Sequence, residues 1–121
     1  MGMMLSCSRD ALPGDAAAFL ICTYELVVGA VSQAGERVFG REDRLIGSHL
    51  LDHVTSPLGE DQLARHAGLA AQRPVDPVVM PLRLVSLAKA RRLGTLAARI
   101  ATCGPPRAAL VTVEPSEFGR R

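Results

Sequence analysis

The clearest helical period in this sequence runs from Glu60 to Gln72, and stretches that alternate like β-strands stand on both sides of it. Leu63, His66, Ala67 and Ala70 fall at i, i+3, i+4 and i+7, while Asp61, Arg65 and Gln72 share the opposite side. Ahead of it, Phe19–Tyr24 reads as a strand and Val27–Val31 as a second one, loosened by Gly29. The brief Glu25-Leu26 connection makes the two a hairpin. Behind it, Met80, Leu82 and Leu84 alternate with Pro81, Arg83 and Val85, and Leu96, Ala98, Ile100 and Thr102 alternate with Ala97, Arg99 and Ala101. Ala108 to Glu114 is a final apolar strand. Two strands, short helices, one longer helix and three strands predict an α+β domain with an antiparallel sheet and helices on one face.

Punctuation residues divide the rest. Ser32 is placed to cap a short helix that ends at Phe39-Gly40. Arg41 to Leu45 forms a further turn closed by Gly47, and Ser48 is read as a second cap for a helix with Leu50, Leu51 and Val54 on its apolar side. Ser56-Pro57-Leu58-Gly59 breaks it. Pro74, Pro77 and Pro81 make a stiff extended passage, and Pro81 is read as putting its strand at an edge or as the point where the strand begins. Leu87 to Leu93 is read as a basic turn around Lys89, Arg91 and Arg92, and Gly104-Pro105-Pro106 as another turn. Residues 1–15, with Met3, Met4 and Leu5 before Pro13-Gly14, are read as an amino-terminal arm or cap helix, 16–116 as the domain and 117–121 as a tail.

Composition excludes several classes. A chain of 121 residues holds one core, and 48% hydrophobic with 21% charged residues favours folding over disorder. No Trp, one Tyr and three Phe leave no base-stacking platform, and a net charge of +2 argues for no nucleic-acid surface. No stretch approaches the ~20 apolar residues of a membrane span. Met1–Arg9 has neither the basic nor the long apolar region of a secretory signal, and its likeness to lipoprotein and myristoylation patterns is left as chance. Cys7, Cys22 and Cys103 are odd in number and have no CxxC spacing, so they are read as thiols in a reducing cytoplasm.

On these residues the chain resembles a PAS domain, over about Phe19 to Pro115. Ser32-Gln33-Ala34-Gly35-Glu36-Arg37-Val38-Phe39-Gly40 is similar to the family's Asn-x-Ala-x-x-x-x-Phe-Gly segment, with serine where asparagine is common. Arg41 to Gly47 is similar to its acidic turn ending in Leu-Ile-Gly, and Ser48–Val54 and Leu110–Glu114 fit the next helix and the closing strand. The resemblance implies a five-stranded antiparallel sheet of order 2-1-5-4-3, with short helices enclosing a small apolar cavity. It implies a sensory or regulatory module that binds a small ligand or dimerises to control a signalling or transcription partner, without catalysis. That order also sets Cys22 and Cys103 two strands apart, roughly 9–10 Å, out of reach of a disulfide.

Within that frame the expected ligand wall is Phe39, Leu63, His66, Ala67, Leu82, Leu84, Leu96, Ala98, Ile100 and Thr112, with His66 and Thr112 as polar handles. The cofactor is left unknown. Covalent flavin of the related LOV type needs a cysteine after Gly47 in an Asn-Cys-Arg-Phe-Leu-Gln segment, and none lies between Cys22 and Cys103. Haem needs an axial ligand for which His66 is the candidate; a histidine hydrogen-bonded at the cavity wall is the reading preferred. His49 and His53 are four apart beside Asp52, but no third ligand is evident and Leu50, Leu51 and Val54 claim the buried side, so both are expected to face solvent and to hold no metal. No nucleophile motif, P-loop or dinucleotide fingerprint occurs, so an enzyme is not expected.

The first and last strands are apolar on both alternating sides, where a sheet with helices on one face should be polar on the other. Something must therefore cover the second face, either the amino-terminal arm with Met3, Met4 and Leu5 or a second copy of the chain. The expected dimer contact is Met3, Met4, Leu5, Leu20, Cys22 and Val111, in a cytoplasmic homodimer. A small apolar or amphipathic ligand and an output protein are the other expected partners, with neither nucleic acid nor membrane. The alternative is a ligand-free interaction or dimerisation adaptor whose alanines signal close packing.

Overall fold

The computed structural model describes residues 17–115. The arm at 1–15 and the tail at 117–121, with Met3, Met4, Leu5 and Cys7, lie outside the described residues. The strands are β1 (Ala18–Cys22), β2 (Val28–Val31), β3 (Val54–Thr55), β4 (Val78–Leu84), β5 (Leu96–Cys103) and β6 (Ala108–Pro115). The helices are α1 (Gln33–Phe39), α2 (Glu42–Leu45), α3 (Glu60–Gln72) and α4 (Leu87–Leu93), with a 3-10 turn at Leu50–Asp52. All six strands form one antiparallel sheet in the order β2-β1-β6-β5-β4-β3.

The class is the α+β one expected, but the sheet has six strands instead of five and its order is not 2-1-5-4-3. The difference is β3, whose Val54 and Thr55 pair with Leu84 and Arg83 at the β4 edge. Helical spacing of Leu50, Leu51 and Val54 hides this strand, because long-range pairing of a β-branched residue overrides a short local pattern. Ser48 is likewise not a cap: His49 occupies that position, its Nδ1 accepting from the Leu51 N–H at 3.2 Å. The basic stretch 87–93 is also a helix and not a turn, opened by Ser86 and stopped by Gly94 at φ 66°. Helix-forming Leu, Ala, Lys and Arg between a serine and a glycine were the signal for it.

Other local features follow the chain's chemistry. Ser32 Oγ accepts from the Gly35 N–H at 2.9 Å and the Phe19 N–H at 3.0 Å and donates to the Ala17 carbonyl, so one hydroxyl caps α1 and fastens it to β1. Gly35 lies so close to β1 that a Cβ there would sit 2.6 Å from the Phe19 carbonyl oxygen. The β1–β2 hairpin turns through Leu26 at φ 66°, a left-handed conformation that costs a leucine about 1–2 kcal/mol. Burial of its side chain in the core offsets that cost. Pro81 sits within β4, where the neighbouring β3 is too short to need its missing N–H; Ser56 Oγ donates to the Pro81 carbonyl at 2.8 Å instead.

The main core lies between the sheet and the helices. The helix α3 lies on β5 and β6 through Leu63, Ala67, Ala70 and Ala71, and the small alanines let it approach closely. Facing them are Leu20, Cys22, Met80, Leu82, Leu84, Leu96, Ala98, Ile100, Val111 and Val113.

Candidate functional site

The expected ligand wall separates into three groups. Phe39, Leu63, Ala67, Leu82, Leu84, Leu96, Ala98 and Ile100 come together in the core beneath the helices, and all are buried. His66 is half-buried on the flank of α3, beside the face carried by Leu63, Ala67 and Ala70. Thr112 lies on the other side of the sheet, in register with Phe19 and Arg99, and cannot serve as a handle for the helix-side residues.

The outer face requires a correction. Leu20, Cys22 and Val111 belong to the helix-side core, and their neighbours Phe19, Ile21 and Leu110 face outward. Both alternating sets are apolar, so neither marks the solvent side; the strand phase is decided by which set α1 and α3 cover. With Cys103, Ala108 and Ala30, the outward residues form a second apolar cluster. Leu110 is 0% exposed and Ile21 6%, whereas toward β4 the same face carries Val79 at 70% exposure and the exposed Arg83 and Arg99. Cys22 and Cys103 flank β6 on opposite faces of the sheet, which rules out a disulfide between them. Burial pushes the Cys22 thiol up to about 12, so it stays protonated and unreactive at neutral pH.

A polar cluster that sequence spacing did not bring together lies between the 3-10 turn and α4. Ser48 Oγ donates to the Leu45 carbonyl at 2.6 Å and lies 2.7 Å from His53 Nε2. With its own proton committed to Leu45, the hydroxyl accepts from the imidazole N–H, so this Ser–His pair is not poised as nucleophile and base. The expectation that His53 faces outward is corrected: it is half-buried, while His49 is exposed. Burial lowers the His53 pKa, Asp52 opposes the shift, and Lys89 adds to it. Lys89 reaches across to donate from Nζ to the Phe39 carbonyl at the end of α1, at 2.9 Å. A serine five residues before a histidine could have flagged the pair, but only the 3-10 turn at Leu50–Asp52 between them brings them together.

A cleft of about 570 Å³ opens between the proline-bounded passage after α3 and the end of β5. Among the described residues no group of three His, Cys, Asp or Glu side chains is placed to hold a metal ion. No described helix is long and apolar enough to cross a membrane. No protein-family model matches the chain, and no curated protein matches it significantly.

Proposed function

We propose that this chain is a sensory or regulatory module of the PAS kind that acts by association, as a homodimer that passes a signal to a signalling or transcription partner. One observation supports the reading above others: a single sheet bears two apolar clusters, and its helices account for only one. The second cluster is sealed at Leu110 and Ile21, so a partner would meet its half-buried rim, Phe19, Ala30 and Thr112, and the exposed Val79 beyond it. A half-buried apolar rim with an exposed valine across a polar strip is the kind of mixed surface a second protein covers. Sedimentation of the full chain at high micromolar concentration is expected to give a dimer, and Val79→Glu to shift it to monomer without loss of fold. A wild-type protein that stays monomeric under those conditions refutes the association reading.

A second reading is favoured by the close packing of the helix-side core: a ligand-free interaction adaptor. Eight of the ten residues expected to line a cavity are themselves buried in the core, and α3 meets the sheet through alanines. Thermal melting in the presence of small apolar and amphipathic compounds separates the two readings. A ligand-binding module is stabilised in proportion to ligand excess, and a filled adaptor is not.

A further inference from the structure

We infer that the cleft at the end of β5 is a binding site for a small organic anion, a carboxylate with a short apolar body. The site arises from a mismatch in strand length. β4 begins at Val78, opposite Ile100, so Ala101–Cys103 of β5 run on beyond the β4 ladder. The chain that should continue the ladder contains Pro74 and Pro77, which have no N–H to give and hold the passage away from β5. Two hydrogen bonds tether it at a distance: Thr102 Oγ1 donates to the Arg73 carbonyl at 3.0 Å, and Arg107 donates from a guanidinium nitrogen to the Gln72 carbonyl at 3.1 Å. The gap left between them, about 570 Å³, lies within the usual range for small-molecule sites.

Its lining dictates the ligand's chemistry. Val75, Pro77, Ala101 and Pro105 supply apolar wall, and Arg99 and Arg107 supply positive charge. Arg99 comes from β5 and Arg107 from the β5–β6 turn. The single ion pair among the described residues is Arg41 with Asp43, so neither arginine is neutralised by a described carboxylate. Asp76, which is exposed, lines an adjoining depression with Arg73. Arg107 is held in place by Gln72 through one of its five N–H groups, leaving others to donate. A carboxylate is the group that guanidinium forks bind with matched geometry, and the apolar wall selects a ligand with a hydrocarbon portion over a bare ion. Arg99 lies between Thr112 and Val79 on the face through which association is proposed, whereas Arg107 comes from the β5–β6 turn, so Arg107→Lys tests the cleft apart from the association.

The test is a titration of the full chain followed by amide chemical shifts, with three probes: hexanoate, hexanol and inorganic phosphate. Hexanoate is expected to give saturable shifts at the amides of Ala101, Thr102, Gly104 and Arg107. Hexanol is expected to bind roughly tenfold or more weakly, the usual loss when a charge-assisted pair is removed. Arg99→Ala and Arg107→Lys should each weaken hexanoate several-fold, while Arg91→Ala, on α4, should leave it unchanged. Equal binding of hexanol overturns the anion assignment, and equal binding of phosphate overturns the need for an apolar body. Absence of saturable shifts with hexanoate, or indifference to Arg99→Ala, overturns the site altogether.

Discussion

The two faces of one sheet are built from the same strands and nearly the same residue types, yet they differ in what closes them. On one face Leu20, Val111 and Ile100 meet α3 and α1, and the apolar surface runs from β2 to β4 without interruption. On the other, the cluster around Ile21 and Leu110 stops short, and Arg99, Arg83 and an exposed Val79 take over toward β4. Strand alternation therefore delivers two apolar faces, but only long-range packing decides how far each extends. The helix-covered face is a structural core, and the divided face has a boundary between apolar and charged surface, where binding surfaces commonly form.

The largest effect should come from truncating the centre of either cluster. Leu63→Ala is expected to cost about 2–5 kcal/mol by chemical denaturation, and Leu110→Ala to fall in the same range because both side chains are fully buried. A cost for Leu110→Ala below ~1 kcal/mol would mean that the second cluster is only loosely packed. Next, Gly35→Ala forces a methyl against the Phe19 carbonyl and should cost roughly 1–3 kcal/mol, tilting α1 away from β1. Ser32→Ala should cost about 1 kcal/mol, with local hydrogen exchange rising at Gly35 and Phe19, whose N–H groups lose their acceptor.

The smallest predicted effect is on pH dependence. Because burial lowers the pKa of His53 in the folded state, the unfolded chain binds more protons just below pH 6.5. Its contribution to stability is thus fully present above pH 6.5 and is lost as pH falls from there toward the lowered folded value. Urea midpoints measured across that window should fall on the acid side in the wild type, and His53→Gln should flatten the trend. A slope unchanged in His53→Gln would assign the dependence to other groups.

Much of this architecture was legible in residue order. Glu60–Gln72 carries its own periodicity, and α3 has those bounds. Ser32 and Gly40 bracket α1 because a hydroxyl acceptor and a glycine are local requirements of helix ends. The strand phase of β1 and β6 was not legible, since Phe19 and Leu20, or Leu110 and Val111, are equally apolar and exchange faces under a one-residue shift. Nor was the pairing of Ser48 with His53, or the cleft between Arg99 and Arg107, because each joins residues through a turn or a strand end and not through spacing.

Local chemistry along the chain thus determined the α+β class, the one long helix, the cap at Ser32 and the interruption at Pro74 and Pro77, all of which depend on neighbours within a few residues. Tertiary structure alone decided that Val54–Thr55 would become a sixth strand, which apolar set of β1 and β6 would meet the helices, and where the sheet would end and leave a charged cleft. Those outcomes depend on pairing and burial between distant segments, whose free energy appears only once the segments meet.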